Sequence, residues 1–532
     1  MNLFRVVFLS LLSGLLFSAS WPVEGRPILL FIAWVPLLLL ENNYRNARPA
    51  NSLLKVFGVS YFSFFIWNLL TTWWVCLASF GGGTMAIIAN SFLMAFAFSV
   101  FHFLNKKSSG KFSSFIFISV WLIFEFLHLR WDLSWPWLTL GNAFAGNAPW
   151  IQWYEYTGVF GGSLWVLLIN SMLSSAIHFF LNGHAQKQLL SRYLIPIAAL
   201  FLLPLILSLW MYETYEEKNN PAEVLALQPN IDPYNEKFSG SSEDHLRRML
   251  AQANVKCDSD LQWLILPETA LTDDIWEEEL NQCPGIQLLD SFSRMHKNLN
   301  IVAGATTRKY YPQSERPTST ARRFTQQEGW YDCFNTALYV CAGKPVALYH
   351  KSKLVPGVEK MPYPFLMRPL EKLAINLGGT TGSLGSQEER TVFEGGNNSL
   401  KAAPVICYES IYGEFVSDYV QNGATAIFII TNDGWWGDTP GYHQHLEYAR
   451  LRAIESRRCI ARSANTGISC LIRQNGDVEN ATSWWNAAIV RGKINANEKI
   501  TFYSSHGDYI GLAAIACLCL ISCLVLFLRM RL

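Results

Sequence analysis

Seven runs of mostly apolar residues follow one another through the first 211 positions, and an eighth lies near the end of the chain. They cover roughly 3–20, 25–40, 54–78, 83–104, 113–129, 158–181, 193–211 and 508–528. A helix crossing a bilayer needs about 20 such residues, and a helix apolar on all sides needs apolar surroundings. The second run is short, and the fifth carries Glu125 and His128. The first could be a cleaved signal peptide, but a second apolar run follows it at once, which favours retention. Composition agrees: 51% of residues are hydrophobic and 16% charged, against roughly 25% charged in ordinary globular chains. The excess is confined to the runs, and residues 212–507 read as a water-soluble domain. A net charge of +1 gives no reason to expect nucleic acid.

Lysine and arginine in short loops mark the cytoplasmic side. They follow the second run (Arg45, Arg48, Lys55), the fourth (Lys106, Lys107, Lys111), the sixth (Lys187, Arg192) and the eighth (Arg529, Arg531). The opposite loops hold Gly81, Gly82 and Gly83, or a Trp-rich stretch with Arg130 near its start. Both termini are therefore expected in the cytoplasm and the domain between runs seven and eight outside. The outward stretch 130–157 includes Trp131, Trp135, Trp137, Trp150 and Trp153. It reads either as an anchor in the headgroup zone or as a wall guiding a lipid headgroup.

Within 212–507, short β-forming runs at 223–228, 262–266, 300–304, 335–341, 345–350, 403–407, 425–431 and 468–473 are separated by helical stretches such as 242–254 and 442–457. The alternation predicts an α/β domain, with two sheets face to face and helices outside. The polar, Pro-containing segment 308–328 reads as a long loop. Three polar stations close predicted strands, where open α/β sheets place their sites. They are Leu266-Pro267-Glu268-Thr269-Ala270, Tyr349-His350-Lys351 with Leu354-Val355-Pro356 and Glu359, and Ile406-Cys407-Tyr408-Glu409.

This trio resembles the Glu-Lys-Cys constellation of the nitrilase (carbon–nitrogen hydrolase) superfamily. With eight flanking spans, the whole chain resembles one branch of it, the apolipoprotein N-acyltransferases. Thr431-Asn432-Asp433-Gly434-Trp435-Trp436-Gly437 and Ala449-Arg450-Leu451-Arg452-Ala453-Ile454-Glu455 extend the likeness. The resemblance implies a membrane domain over 1–211, an extracytoplasmic αββα nitrilase-like domain over 212–507, and a final span with its tail over 508–532. Cys407 would be the nucleophile, Glu268 the general acid/base, and Lys351 the stabiliser of thiolate and oxyanion. The N–H of Tyr408 would be a second oxyanion donor. Glu359 would orient Lys351 and the substrate amine, Glu409 would support the site or only brace the loop, and Arg368, Trp435 and Phe238 would meet substrate. A thiol needs such help, because only its thiolate is a strong nucleophile. Where the family has Phe-Gly-Glu after Leu-Val-Pro, this chain has Gly357-Val358-Glu359, and the family's early Trp is answered by Phe238, one residue displaced.

The implied reaction moves an acyl chain from a membrane phospholipid, through a Cys thioester, to the α-amino group of a diacylated apolipoprotein. The setting would be the bacterial inner membrane, with no cofactor and a monomeric enzyme. A membrane-tethered amidase and an inactive lipid-binding scaffold remain alternatives. Taken alone, each residue has a plainer reading: Cys407 as a small buried hydrophobe, Glu268 as a solvated strand-end charge, Trp435 as core. Lys353 competes with Lys351, but the spacing to Leu354-Val355-Pro356 favours Lys351. His443 and His445 lack further partners at zinc-ligand spacing. Cys257 with Cys283, and Cys333 with Cys341, are possible disulfides in an oxidising compartment.

Overall fold

The computed structural model describes residues 2–183, 185–237, 241–297, 299–361, 363, 383–396 and 400–530. They form two compact units, one of Met1–Cys76, Phe80–Tyr215 and His506–Leu532, the other of Leu77–Ser79 and Glu216–Ser505.

The first unit is helical: α1 (Leu3–Ala19), α2 (Pro27–Ala47), α3 (Ser52–Thr72), α4 (Phe80–Lys107), α5 (Ser113–His128), α6 (Tyr154–Leu181), α7 (Gln186–Thr214) and, near the end of the chain, α12 (Tyr509–Met530). By length and composition six can cross a membrane, and α1 and α5 are shorter apolar helices. Trp34 sits at the centre, with the rings of Phe17, Phe117 and Trp121 centred 5.0, 5.1 and 4.3 Å away. At Trp34, ahead of Pro36, α2 opens. The Asn170 side chain bridges the gap, accepting from the Trp34 N–H (3.0 Å) and donating to the Leu30 carbonyl (2.9 Å). Apolar surroundings offer an opened helix bond no water, so a side chain has to fill it. Glu41 is similarly buried, against His102 at 2.9 Å and Asn105. Within the Trp-rich stretch Trp131, Trp135 and Trp150 are half-buried, and two other tryptophans are interior. Trp137 is buried against Trp74, and Trp153 is buried with its ring 5.7 Å from Trp165.

The second unit is an αββα sandwich. One sheet runs β14 (Ala488–Asn495), β1 (Pro221–Gln228), β2 (Trp263–Ile265), β4 (Asn300–Tyr311), β6 (Trp330–Val340) and β5 (Arg322–Arg323); β3 (Leu271–Trp276) pairs with β4, and β7 (Ala347–His350) with β6. The other runs β13 (Val478–Glu479), β12 (Cys470–Ile472), β11 (Ile460–Ala464), β10 (Ala426–Thr431), β9 (Lys401–Ile406) and β8 (Phe393–Glu394). The side-chain period of two divides β1. Leu225 and Leu227 join Leu246, Met249, Leu289 and Phe292 of α8 (Ser242–Asn254) and α9 (Pro284–Met295) in one core. Trp263 of β2 faces the other way and meets Phe428 of β10 edge-on at 5.2 Å, joining the sheets. The second sheet is flanked by α10 (Gly413–Gln421) and α11 (Pro440–Ser456).

Two expectations are corrected. The segment 308–328 is not one long loop: β4 continues through Tyr311 in antiparallel register with β6, and β5 adds a further strand. Polar side chains on a solvated hairpin hide its period. No disulfide joins Cys257 to Cys283 or Cys333 to Cys341; the Cys333 sulfur instead accepts a hydrogen bond from Arg322 at 2.9 Å.

Candidate active site

Each station lies where a strand gives way to a turn. Glu268 follows β2, in a loop pressed onto Gly304 of β4. A Cβ on Gly304 would lie 2.4 Å from the Thr269 nitrogen and 2.6 Å from the Glu268 Cα, so only glycine admits the loop. Lys351 follows β7, its N–H donating to the Asn335 carbonyl at 2.8 Å. Cys407 follows β9 at a φ of 48°, in the left-handed region that non-glycine residues seldom enter. Such an elbow turns a side chain out of the sheet.

These turns bring three groups together, all largely buried: Cys407 at 8%, Glu268 at 7% and Lys351 at 1% exposure. The Lys351 ammonium donates to Glu268 Oε1 at 3.1 Å and to Glu359 Oε1 at 2.8 Å. Asn335 Nδ2 donates to the same two carboxylates, at 2.8 and 3.1 Å. The second Glu359 oxygen accepts from the Val355 N–H at 2.9 Å, so the altered Gly357-Val358 turn still delivers this carboxylate to Lys351. Lys353 points elsewhere, its ammonium 4.9 Å from the centre of the Tyr412 ring.

The charges follow from this geometry. Burial pushes the Glu268 carboxyl up, but Lys351, Asn335 and Lys237 outweigh it and hold the group below its ordinary range. Burial favours neutral Lys351, yet the carboxylates of Glu268 and Glu359 hold it well above the usual lysine value. Burial and the charge of Glu268 push the Cys407 thiol well up, against the pull of Lys351. The resting site is thus a thiol, a carboxylate and an ammonium. The proton is on sulfur, and the Glu268 charge acts on it.

Glu409 is buried and links the elbow to the lysine loop. It accepts from the N–H groups of Ile406 (2.8 Å) and Ser352 (2.6 Å) and from the Tyr349 hydroxyl (2.6 Å). Burial pushes its carboxyl up. Tyr408 is buried with its ring 5.4 Å from that of Tyr412. Trp435 is half-buried, beside the exposed Tyr234, whose hydroxyl donates to the Trp435 carbonyl at 2.8 Å. Phe238 and Arg368 lie outside the described residues.

Sequence reasoning missed Asn335, Lys237 and the surroundings of His445. Asn335 sits within an apolar strand with no motif around it. Lys237 is buried, donates to the Glu268 carbonyl at 3.1 Å, and is pulled by burial down to about 8; its neighbour Phe238 was the only signal. His445 lies beneath the elbow, bonded to Ser410, Asp433 and the Cys407 carbonyl.

Comparison with known proteins adds to this geometry. A sequence model described as the apolipoprotein N-acyltransferase N-terminal domain matches residues 13–172, and one described as carbon–nitrogen hydrolase matches 216–499. The chain is similar to an apolipoprotein N-acyltransferase of Chlorobaculum tepidum, 31% identical over 94% of this chain and 93% of that one. It is also similar to one of Geobacter metallireducens, 26% identical over 96% and 94%. A third, named apolipoprotein N-acyltransferase 2, is from Treponema denticola, 26% identical over 96% and 95%.

Proposed function

As the chain belongs to the apolipoprotein N-acyltransferase family, we propose that it is an inner-membrane acyltransferase of lipoprotein maturation, working through an acyl-enzyme at Cys407. The observation that carries the reading is the buried thiol–carboxylate–ammonium group, with Lys351 holding Glu268 at 3.1 Å.

In the first half-reaction Glu268 takes the thiol proton as the sulfur attacks the ester carbonyl of a phospholipid. Negative charge developing on the carbonyl oxygen meets the Lys351 ammonium and the Tyr408 N–H. The C–O bond breaks, Glu268 returns the proton to the departing oxygen, and a lysophospholipid leaves behind a thioester. In the second half the neutral α-amino group of a diacylglyceryl-cysteine attacks. Glu268 accepts its proton, the C–S bond breaks, and the proton returns to sulfur. Glu359 and Asn335 keep Lys351 and Glu268 in register through both halves, and Trp435 lines the approach. The chemistry needs no cofactor, and one copy of the chain holds every group used.

Both substrates are lipid-anchored, and drawing one acyl chain into water costs about 0.8 kcal/mol per CH₂. Spans on either side of the catalytic unit in the chain avoid that extraction. The charge bias of the loops supports an extracytoplasmic catalytic unit and cytoplasmic termini.

The test is mass spectrometry of the protein incubated with phospholipid, then with a diacylated peptide. The expected result is an acyl adduct on Cys407 that the peptide discharges as an N-acyl product, and no adduct in Cys407→Ser. Hydrolysis with no peptide product would point to an amidase, and an unmodified Cys407 with normal turnover would overturn the reading.

A further inference from the structure

The nucleophile turn contains a second buried polar group that the acyl-transfer steps leave unused. The Cys407 carbonyl accepts from the Ser410 hydroxyl at 2.8 Å and faces His445 Nε2 at 3.1 Å. Nε2 also lies 2.9 Å from Ser410 Oγ. Nε2 therefore rests against both of these oxygens. On its other side, Nδ1 lies 2.9 Å from Asp433 Oδ1. Asp433 is itself fixed, by Arg462 on Oδ2 at 2.6 Å and by the Thr431 hydroxyl on Oδ1 at 2.8 Å. All five side chains are at 1% exposure or less, and they come from the elbow, the end of β10, the turn after it, α11 and β11. Arg452 of α11 donates to the Ile411 carbonyl at 2.6 Å, tying the same helix to the far end of the turn.

The Cys407 carbonyl and the Tyr408 N–H are two ends of one peptide unit. That unit is planar and rigid, so fixing its oxygen fixes the direction of its hydrogen. Donors on the carbonyl also polarise the amide and strengthen its N–H as a donor. We infer that Asp433 and His445 are positioning residues for the oxyanion site: through the Cys407 carbonyl they aim the Tyr408 N–H at the oxygen on which charge develops. The same contacts help hold Cys407 at its positive φ, a conformation that survives only where its surroundings over-determine it.

This rests on the acyl-enzyme reading above, and the experiment separates the two. Three quantities are measured on the full-length protein in lipid nanodiscs: single-turnover acylation of Cys407 by phospholipid, the kcat and KM of peptide acylation, and the rate of Cys407 alkylation by iodoacetamide. Alkylation displaces iodide and passes through no oxyanion, whereas acylation needs the oxyanion site. In His445→Phe, acylation and kcat should fall by about 10²–10³, the usual loss for one oxyanion donor, with KM little changed and alkylation at the wild-type rate. His445→Gln, which keeps a polar group near the Nε2 position, should recover part of the loss, and Ser410→Ala, which leaves His445 against the carbonyl, should lose less. Wild-type acylation in His445→Phe would overturn the inference. So would a parallel fall of acylation and alkylation in all three variants, since that marks a folding role alone. Failure of the acyl-enzyme reading would show differently, as no adduct on Cys407 in the wild-type protein.

Discussion

Glu268, the proposed general base, owes its charge to its neighbours. Glu268 is held ionised against burial by Lys351, the Asn335 amide and Lys237. Activity that needs this carboxylate as base should therefore persist to pH values below the ordinary carboxylate range and fall only as Glu268 takes up a proton. Asn335→Ala removes one of the groups favouring the ionised form, so the acid limb of kcat/KM should move to higher pH. A limb that stays in place in the variant would mean that another group sets it. Glu268→Gln leaves no base and should cost about 10²–10⁴ in kcat, the span usual for general acid–base catalysis. Glu409 presents a different case, since its oxygens accept from two backbone N–H groups and a phenol. Glu409→Gln would turn an amide N–H₂ toward at least one of those donors. The expected cost is about 1–3 kcal/mol of stability, read as a lower unfolding midpoint, together with lost activity.

Among the elements, β4 and α2 each depend on one residue at a close contact. Gly304→Ala should push the Glu268 loop off β4, because the new methyl would lie 2.4 Å from backbone. Displacement of a catalytic group by about 1 Å can cost roughly 10²-fold in rate, so kcat should fall while the protein remains folded. Asn170→Leu should leave the Trp34 N–H and Leu30 carbonyl unanswered in apolar surroundings. The expected loss is about 1–2 kcal/mol, measured as the midpoint of thermal unfolding in detergent. Strand positions were legible wherever apolar residues ran unbroken: β1, β9 and β10 stand close to their sequence-predicted bounds. The far half of β4 was not, because its residues there are polar and its partner β6 lies across the hairpin. Arg322 and Arg323 of β5 carry no strand signal of their own and are ordered by pairing with Tyr331 and Trp330.

For the whole molecule, the proposed orientation makes a direct prediction. Alkaline phosphatase fused within residues 255–260 should be active, and a fluorescent protein fused after Leu532 should fluoresce, since one folds outside and the other inside. The reverse pattern would invert the topology drawn from the loop charges. By itself the sequence determined the class of the molecule, because apolar length is a property of each segment alone: about 20 lipid-compatible residues announce a span without reference to any other part. It also displayed the three stations, since each carries its motif within a few residues. Only the tertiary structure decided which groups serve them. Asn335 reaches Glu268 across 67 positions, and His445 meets the Cys407 carbonyl across 38. The direction of one hydrogen bond depends on backbone geometry and on burial from several strands at once, which no local run of residues encodes.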